Sequence, residues 1–134
     1  MGITEFLTDK VSSKNTQMLI FNKNLSVSPI TTHLPLKKVS KNLTKEKIIN
    51  DIKNINNFYI RNHKIKPKFA ILGLNPHCES IEKVSEEERI IKPAIKYLKK
   101  KRIFVKGPFS ADTFFSKKNL VDFDVCVGMY HDQV

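Results

Sequence analysis

Three histidines occupy the same kind of place in this chain. His33 lies in "ITTHLPL", His77 in "GLNPHCES" and His131 in "VCVGMYHDQ", each where an apolar, strand-like run gives way to polar residues. Neutral imidazole is a common ligand for transition metals, and three of them leave a coordination position open for a substrate. Their spacing is not a local metal motif such as H-E-x-x-H. A shared site therefore requires a fold that gathers three strand ends; the alternative is that the histidines merely finish strands. The fourth, His63 in "RNHKIK", falls in a polar basic turn and reads as a surface residue.

Two carboxylates stand near these positions. Asp132 directly follows His131, and Asp112 follows Ser110-Ala111 after "GPF". Either could orient an imidazole or meet an amine or hydroxyl of a substrate. Asp112 also sits where a first helical turn favours a carboxylate for its own reasons. Cys78, beside His77, reads as a bystander thiol, because no C-x-x-C or Cys-His pattern surrounds it. The glycines are only four, and no G-x-G-x-x-G, P-loop or G-x-S-x-G is present.

The elements that must position these groups can be read from periodicity. "TQMLIF" (16–21) and "LSVSPITT" (25–32) are extended segments separated by polar "NKN". From the N-cap candidate Thr44, the residues Ile48, Ile52, Ile55 and Tyr59 recur at helical spacing. "FAILGL" reads as a buried strand. Ser85-Glu86-Glu87-Glu88 forms an S-x-x-E capping box for a helix carrying Ile91, Ala94, Ile95 and Leu98. Pro93 is expected to kink that helix. "IFVKGPF" is extended, "SADTFF" begins a short helix capped by Ser110, and "FDVCVGMY" is the last strand. Alternating strands and helices predict an α/β domain with a largely parallel sheet.

The chain has 134 residues, one domain's worth, and 40% hydrophobic content suits a globular protein. Its longest apolar run, Phe69 to Leu74, excludes a transmembrane helix. The opening "MGITEFLTDK" lacks a signal peptide's apolar core, so the expected location is cytoplasmic and the thiols Cys78 and Cys126 are expected to be reduced. The formal charge of +11 raises a basic nucleic-acid-binding module as an alternative. Only three of the 24 basic residues are Arg, however, and the abundance of Lys, Ile and Asn is what A/T-rich codons produce. A solvated basic surface is the expectation, with neither nucleic acid nor membrane as partner. Because the sequence stops on a polar loop after a strand, where α/β domains usually continue into a helix, residues 1–134 are expected to be an internal segment, incomplete at both ends.

Taken together, "TTHLPL", "GLNPH", "EEE-x-IIKPAI", "GPFSADTFF" and "GMYHDQ" occur in an order and spacing that resemble the 4-hydroxythreonine-4-phosphate dehydrogenases of pyridoxal phosphate biosynthesis. The resemblance covers essentially the whole chain, and because the family's chains are much longer on both sides it implies that this segment is inactive alone. It implies an isocitrate/isopropylmalate dehydrogenase-like α/β fold and a homodimer. It also implies a divalent metal (zinc, magnesium or cobalt) near the dimer interface, with ligands His33, His77 and His131 shared across it. The implied reaction is NAD- or NADP-linked oxidation of a secondary alcohol, followed by loss of CO2 to give an aminoketone phosphate. Asp112 and Asp132 match acidic positions close to the substrate, and Thr4 matches a substrate-binding threonine. Two departures bear on the substrate. The family's Gly-His-Thr-Glu reads Gly2-Ile3-Thr4-Glu5 here, and the usually glycine-rich loop after "NPH" is "CESIEKVS". Another 4-phosphorylated hydroxy acid is therefore an alternative substrate.

Overall fold

The computed structural model describes residues 3–9, 12–22, 24–31, 38–39, 43–74, 86–115, 121–130 and 133, with the backbone alone for 3–9, 12–17, 112 and 113. Six strands form one sheet: β1 (Ile3–Asp9), β2 (Ser12–Phe21), β3 (Ser26–Thr31), β4 (Phe69–Leu72), β5 (Val105–Phe109) and β6 (Val125–Tyr130). Their spatial order is β1-β2-β3-β6-β4-β5. The pairs β3–β6, β6–β4 and β4–β5 are parallel, whereas β1–β2 and β2–β3 are antiparallel. The expected parallel sheet is thus a four-stranded core extended on one side by a β1–β2 hairpin.

Between β2 and β3 the backbone pairing is brief. Pro29 has no N–H to give a ladder, and the pairing of β2 with β3 is recorded only at Ile20–Val27. Beside it the Ser28 hydroxyl donates to the Met18 carbonyl at 2.6 Å, so a side chain takes the place of a backbone donor. The buried Ser26 hydroxyl in turn accepts from Tyr59 Oη at 2.6 Å and donates to the Asn22 carbonyl at 3.2 Å.

Helix α1 (Lys45–His63) begins as expected, with Thr44 Oγ1 accepting from the Lys47 amide at 3.1 Å. Ile48, Ile52, Ile55 and Tyr59 are all buried on one face. It ends at Lys64, whose φ of 58° is the left-handed conformation common after helices. His63 is exposed, as expected, and its ring also stacks on Phe21 with centroids 4.6 Å apart.

The second helical segment differs from expectation in an informative way. Residues Glu87–Ile91 form a π-helical turn, followed by α2 (Lys92–Lys100) with Pro93 in its first turn. The Lys92 amide donates to the Glu87 carbonyl, five residues back. A proline ring crowds the carbonyl four residues before it and offers no N–H. Widening the preceding turn accommodates both defects, so Pro93 produces a π turn rather than a simple kink. Ser85 of the expected capping box lies outside the described residues. Ile91, Ala94, Ile95 and Leu98 are buried as the periodicity predicts.

These helices cover one face of the sheet, where Leu19, Ile30, Phe69, Ile71, Val105, Val125, Val127 and Met129 form the main core with α1 and α2. On the other face Ala70, Leu72 and Cys126 pack with Phe114 and Phe123. Cys126 is a buried free thiol whose pKa burial pushes up to about 12, which makes it inert. Phe114 belongs to the short α3 (Ala111–Phe114). Ser110 holds the N-cap position there without a side-chain capping hydrogen bond, contrary to expectation.

Two stability predictions follow from this packing. Gly107 in β5 has φ +144°, and a β-carbon there would collide with the Ile71 carbonyl oxygen of β4. Gly107→Ala is expected to cost about 2 kcal/mol or more in urea unfolding. Asp51, on the buried side of α1, has its pKa raised to about 6 by burial, against the opposing pull of Lys47 3.3 Å away. A raised carboxyl pKa means the native state binds the extra proton, so stability falls as pH rises from about 4 to about 6. Asp51→Asn removes that decline and should gain on the order of 2 kcal/mol relative to the parent between about pH 4 and pH 7.

Candidate active site at the carboxyl edge of the sheet

Parallel pairing brings the ends of β3, β6, β4 and β5 to one edge. Thr31 stands opposite Tyr130, and Leu72 opposite Phe109. Each of these strands leads directly into a segment singled out by its chemistry. His33 is two residues beyond Thr31, His77 three beyond Leu74, His131 next after Tyr130, and Asp112 three beyond Phe109. Strand order matters here. Because β6 lies between β3 and β4, the three histidine-bearing segments leave adjacent strands, spanning two inter-strand spacings of about 4.8 Å each.

His33, His77, His131 and Asp132 themselves lie outside the described residues, and so does Cys78. Asp112 is described by its backbone only, as the second residue of α3. Among the described residues, no group of three His, Cys, Asp or Glu is placed to hold a metal. Thr4 is not brought to this edge. It pairs with Ile20, which pairs with Val27, and Val27 stands opposite Cys126 near the amino end of β6. The backbone therefore sets Thr4 about four residues, or about 13 Å, back along the strands from Thr31, and two strands to the side.

The edge is tied together by hydrogen bonds from residues that sequence reasoning passed over. Thr31 is buried, and its Oγ1 donates to the Met129 carbonyl at 2.7 Å, joining β3 to β6. Gln133 joins β6 to β4: its Oε1 accepts from the Met129 amide at 2.7 Å, and its Nε2 donates to the Gly73 carbonyl at 2.5 Å. Only one orientation of the amide satisfies both partners, since one needs an acceptor and the other a donor. The Gly73 amide donates to the Phe109 carbonyl at 2.9 Å, joining β4 to β5. Glu87, in the π turn and 0% exposed, accepts from the Leu74 amide at 2.8 Å. Every strand end at this edge is thereby held to its neighbour. The sequence signal for Thr31 and Gln133 was their place inside "TTHLPL" and "YHDQ"; for Glu87 there was none beyond its position in a run of three Glu.

Comparison with known proteins shows which family the chain is similar to. The family model described as "Pyridoxal phosphate biosynthetic protein PdxA" matches residues 1–134. The chain belongs to this family. A 4-hydroxythreonine-4-phosphate dehydrogenase from Sulfurihydrogenibium sp. (strain YO3AOP1) is 44% identical over 134 residues, covering 98% of this chain and 41% of the relative. The corresponding protein of Aquifex aeolicus (strain VF5) is 36% identical, with the same coverage of 98% and 41%. The crystal structure of 4-hydroxythreonine-4-phosphate dehydrogenase from Klebsiella pneumoniae superposes with a TM-score of 0.78 at 33% identity, over 87% of this chain and 36% of that one. This PdxA-family chain thus spans about two fifths of the length of the curated relatives it matches, and its α/β architecture is theirs. No helix among the described residues is long and apolar enough to cross a membrane.

The Glu87 anchor can be tested directly. Glu87→Leu deprives the Leu74 amide of its acceptor and should cost about 1–3 kcal/mol in urea unfolding. Glu87→Gln keeps an acceptor oxygen at the same length and should lose distinctly less.

Proposed function

We propose that this chain supplies the metal-binding edge of a cytoplasmic, homodimeric dehydrogenase with an isocitrate/isopropylmalate dehydrogenase-like fold. The reaction is oxidation of 4-hydroxythreonine 4-phosphate by NAD or NADP, with decarboxylation to 3-amino-2-oxopropyl phosphate. The observation that supports the reading is the adjacency of β3, β6 and β4, which sets side by side the ends of the three strands that lead in sequence to His33, His77 and His131. A strand-finishing role for the histidines would not require that order.

The donor set suits a divalent ion: three neutral imidazoles, His33, His77 and His131, issuing from strand ends within about 10 Å of one another. When bound, the metal would act as a Lewis acid toward the substrate's alcohol oxygen and NAD(P)+ would accept the hydride. Asp112 and Asp132 are the catalytic carboxylates of this proposal. A carboxylate beside the alcohol accepts its proton as the hydride leaves, and the resulting acid can return a proton to the carbon that loses CO2. Thr4, carried by β1, would bind substrate through its hydroxyl. Since the backbone sets it away from this chain's own carboxyl edge, the proposal assigns it to the site of the partner copy in the dimer.

Replacing His33, His77 or His131 by Ala in the intact gene product should cost at least about 10–100-fold in metal affinity and turnover, since losing even a ligand's supporting partner costs that much. His63→Ala should change neither. Activity that survives a chelator, or a His63→Ala defect equal to that of His77→Ala, would contradict the assignment. A second reading, a different 4-phosphorylated hydroxy acid as substrate, is favoured by Ile3 in place of the family's histidine and by the glycine-free "CESIEKVS". A panel of such acids, compared by kcat/KM, decides between the two. Tight, salt-sensitive binding of generic DNA, below the roughly 10⁻⁶ M bound of ordinary non-specific association, would instead favour the nucleic-acid module.

A further inference from the structure

We propose that Gln133 is a positioning residue for the metal site, holding the end of β6 that leads to His131 and Asp132 against the strand end that leads to His77. The inference rests on the metal-site reading above and adds to it a residue that binds neither metal nor substrate.

The geometry is specific. Gln133 Oε1 accepts from the Met129 amide at 2.7 Å, four residues back in the chain. Between the two in sequence stand Tyr130, His131 and Asp132. The same side chain then reaches across to β4 and donates to the Gly73 carbonyl at 2.5 Å. Gly73 is itself fixed on its other side, its amide donating to Phe109 of β5 at 2.9 Å. Next in the chain, Leu74 is held by the buried Glu87 carboxylate at 2.8 Å. Gln133, next in the chain after His131 and Asp132, is therefore tied to Gly73, just before the segment that contains His77. A chain end not held in this way would have to be ordered whenever metal bound, at a cost in conformational entropy. Gln133 meets much of that cost in advance.

Met129 makes the arrangement more than a local contact. Its amide is held by Gln133 and its carbonyl by Thr31 Oγ1 at 2.7 Å. One peptide-linked residue of β6 thus relays position from β3, which leads to His33, to Gln133 and on to β4.

Two variants separate the two hydrogen bonds. Gln133→Ala removes both. Gln133→Glu keeps an acceptor for the Met129 amide and, as a carboxylate, has no donor for the Gly73 carbonyl. Zinc ion alone is titrated into the metal-free intact protein against a chromophoric chelator, with amide hydrogen exchange recorded in parallel. The expected result is a roughly 10–100-fold loss of zinc affinity in both variants. The Met129 amide should lose protection in Gln133→Ala and retain it in Gln133→Glu, while the Phe69 amide, bonded to Phe104 at the far end of the sheet, stays protected in both. Zinc affinity within threefold of the parent in both variants, alongside a large loss in His131→Ala, would overturn the inference and leave the metal site standing. An unchanged zinc affinity in His131→Ala would overturn the metal site and this inference together. A loss in Gln133→Ala that Gln133→Glu fully restores would show that the bond to the Met129 amide suffices, and would overturn the role assigned to the link with β4.

Discussion

The hydrogen bonds that join neighbouring strand ends at the carboxyl edge are what the rest of the molecule depends on. Thr31 to Met129, Gln133 to Met129 and Gly73, Gly73 to Phe109, and Glu87 to Leu74 form a continuous path across β3, β6, β4 and β5. Strand ends ordinarily fray, because their last carbonyls and amides have no ladder partner. Here side chains take over where the backbone ladder stops, and Thr31 and Glu87 do so from buried positions where an unmet hydrogen bond is costly. The segments containing His33, His77, His131 and Asp112 all depart from this path.

The apolar architecture serves the same end. The fully buried Phe69, Ile71, Val125, Val127 and Met129 hold β4 and β6 as a rigid centre under α1 and α2. The π turn before Pro93 belongs to that support as well as to helix geometry. It keeps Ile90 and Ile91 buried and delivers Glu87 to Leu74 while accepting a proline that a regular helix would resist. By contrast the β1–β2 hairpin extends the sheet away from this centre and carries Thr4 toward the opposite edge. The proposal accordingly draws Thr4 from another copy.

Much of this was legible in the sequence, and the parts that were not share a cause. The face of α1 and its Thr44 cap could be read because periodicity and capping are local. The continuous apolar run of β4 announced a buried strand, and that of β6 a strand, for the same reason. The insertion of β6 between β3 and β4 could not be read, since spatial order is a property of the whole sheet. Glu87 was indistinguishable from Glu86 and Glu88, as only packing selects which carboxylate turns inward. Gln133 stood beside two residues of evident chemical interest, yet its task is defined by a carbonyl on β4, far away in the chain. Pro93 did signal a disturbed helix, but the form of the disturbance follows from the carbonyl it had to avoid. The assignment of His33, His77, His131 and Asp132 to a metal site rests on their motifs and on where their strands end.

The most direct test of the central claim is X-ray absorption at the zinc edge on the zinc-loaded intact protein. The account predicts three imidazole nitrogens at about 2.0–2.1 Å, the remaining coordination being oxygen. A sulfur scatterer at about 2.3 Å, which would make Cys78 a ligand, or fewer than three imidazoles would contradict it.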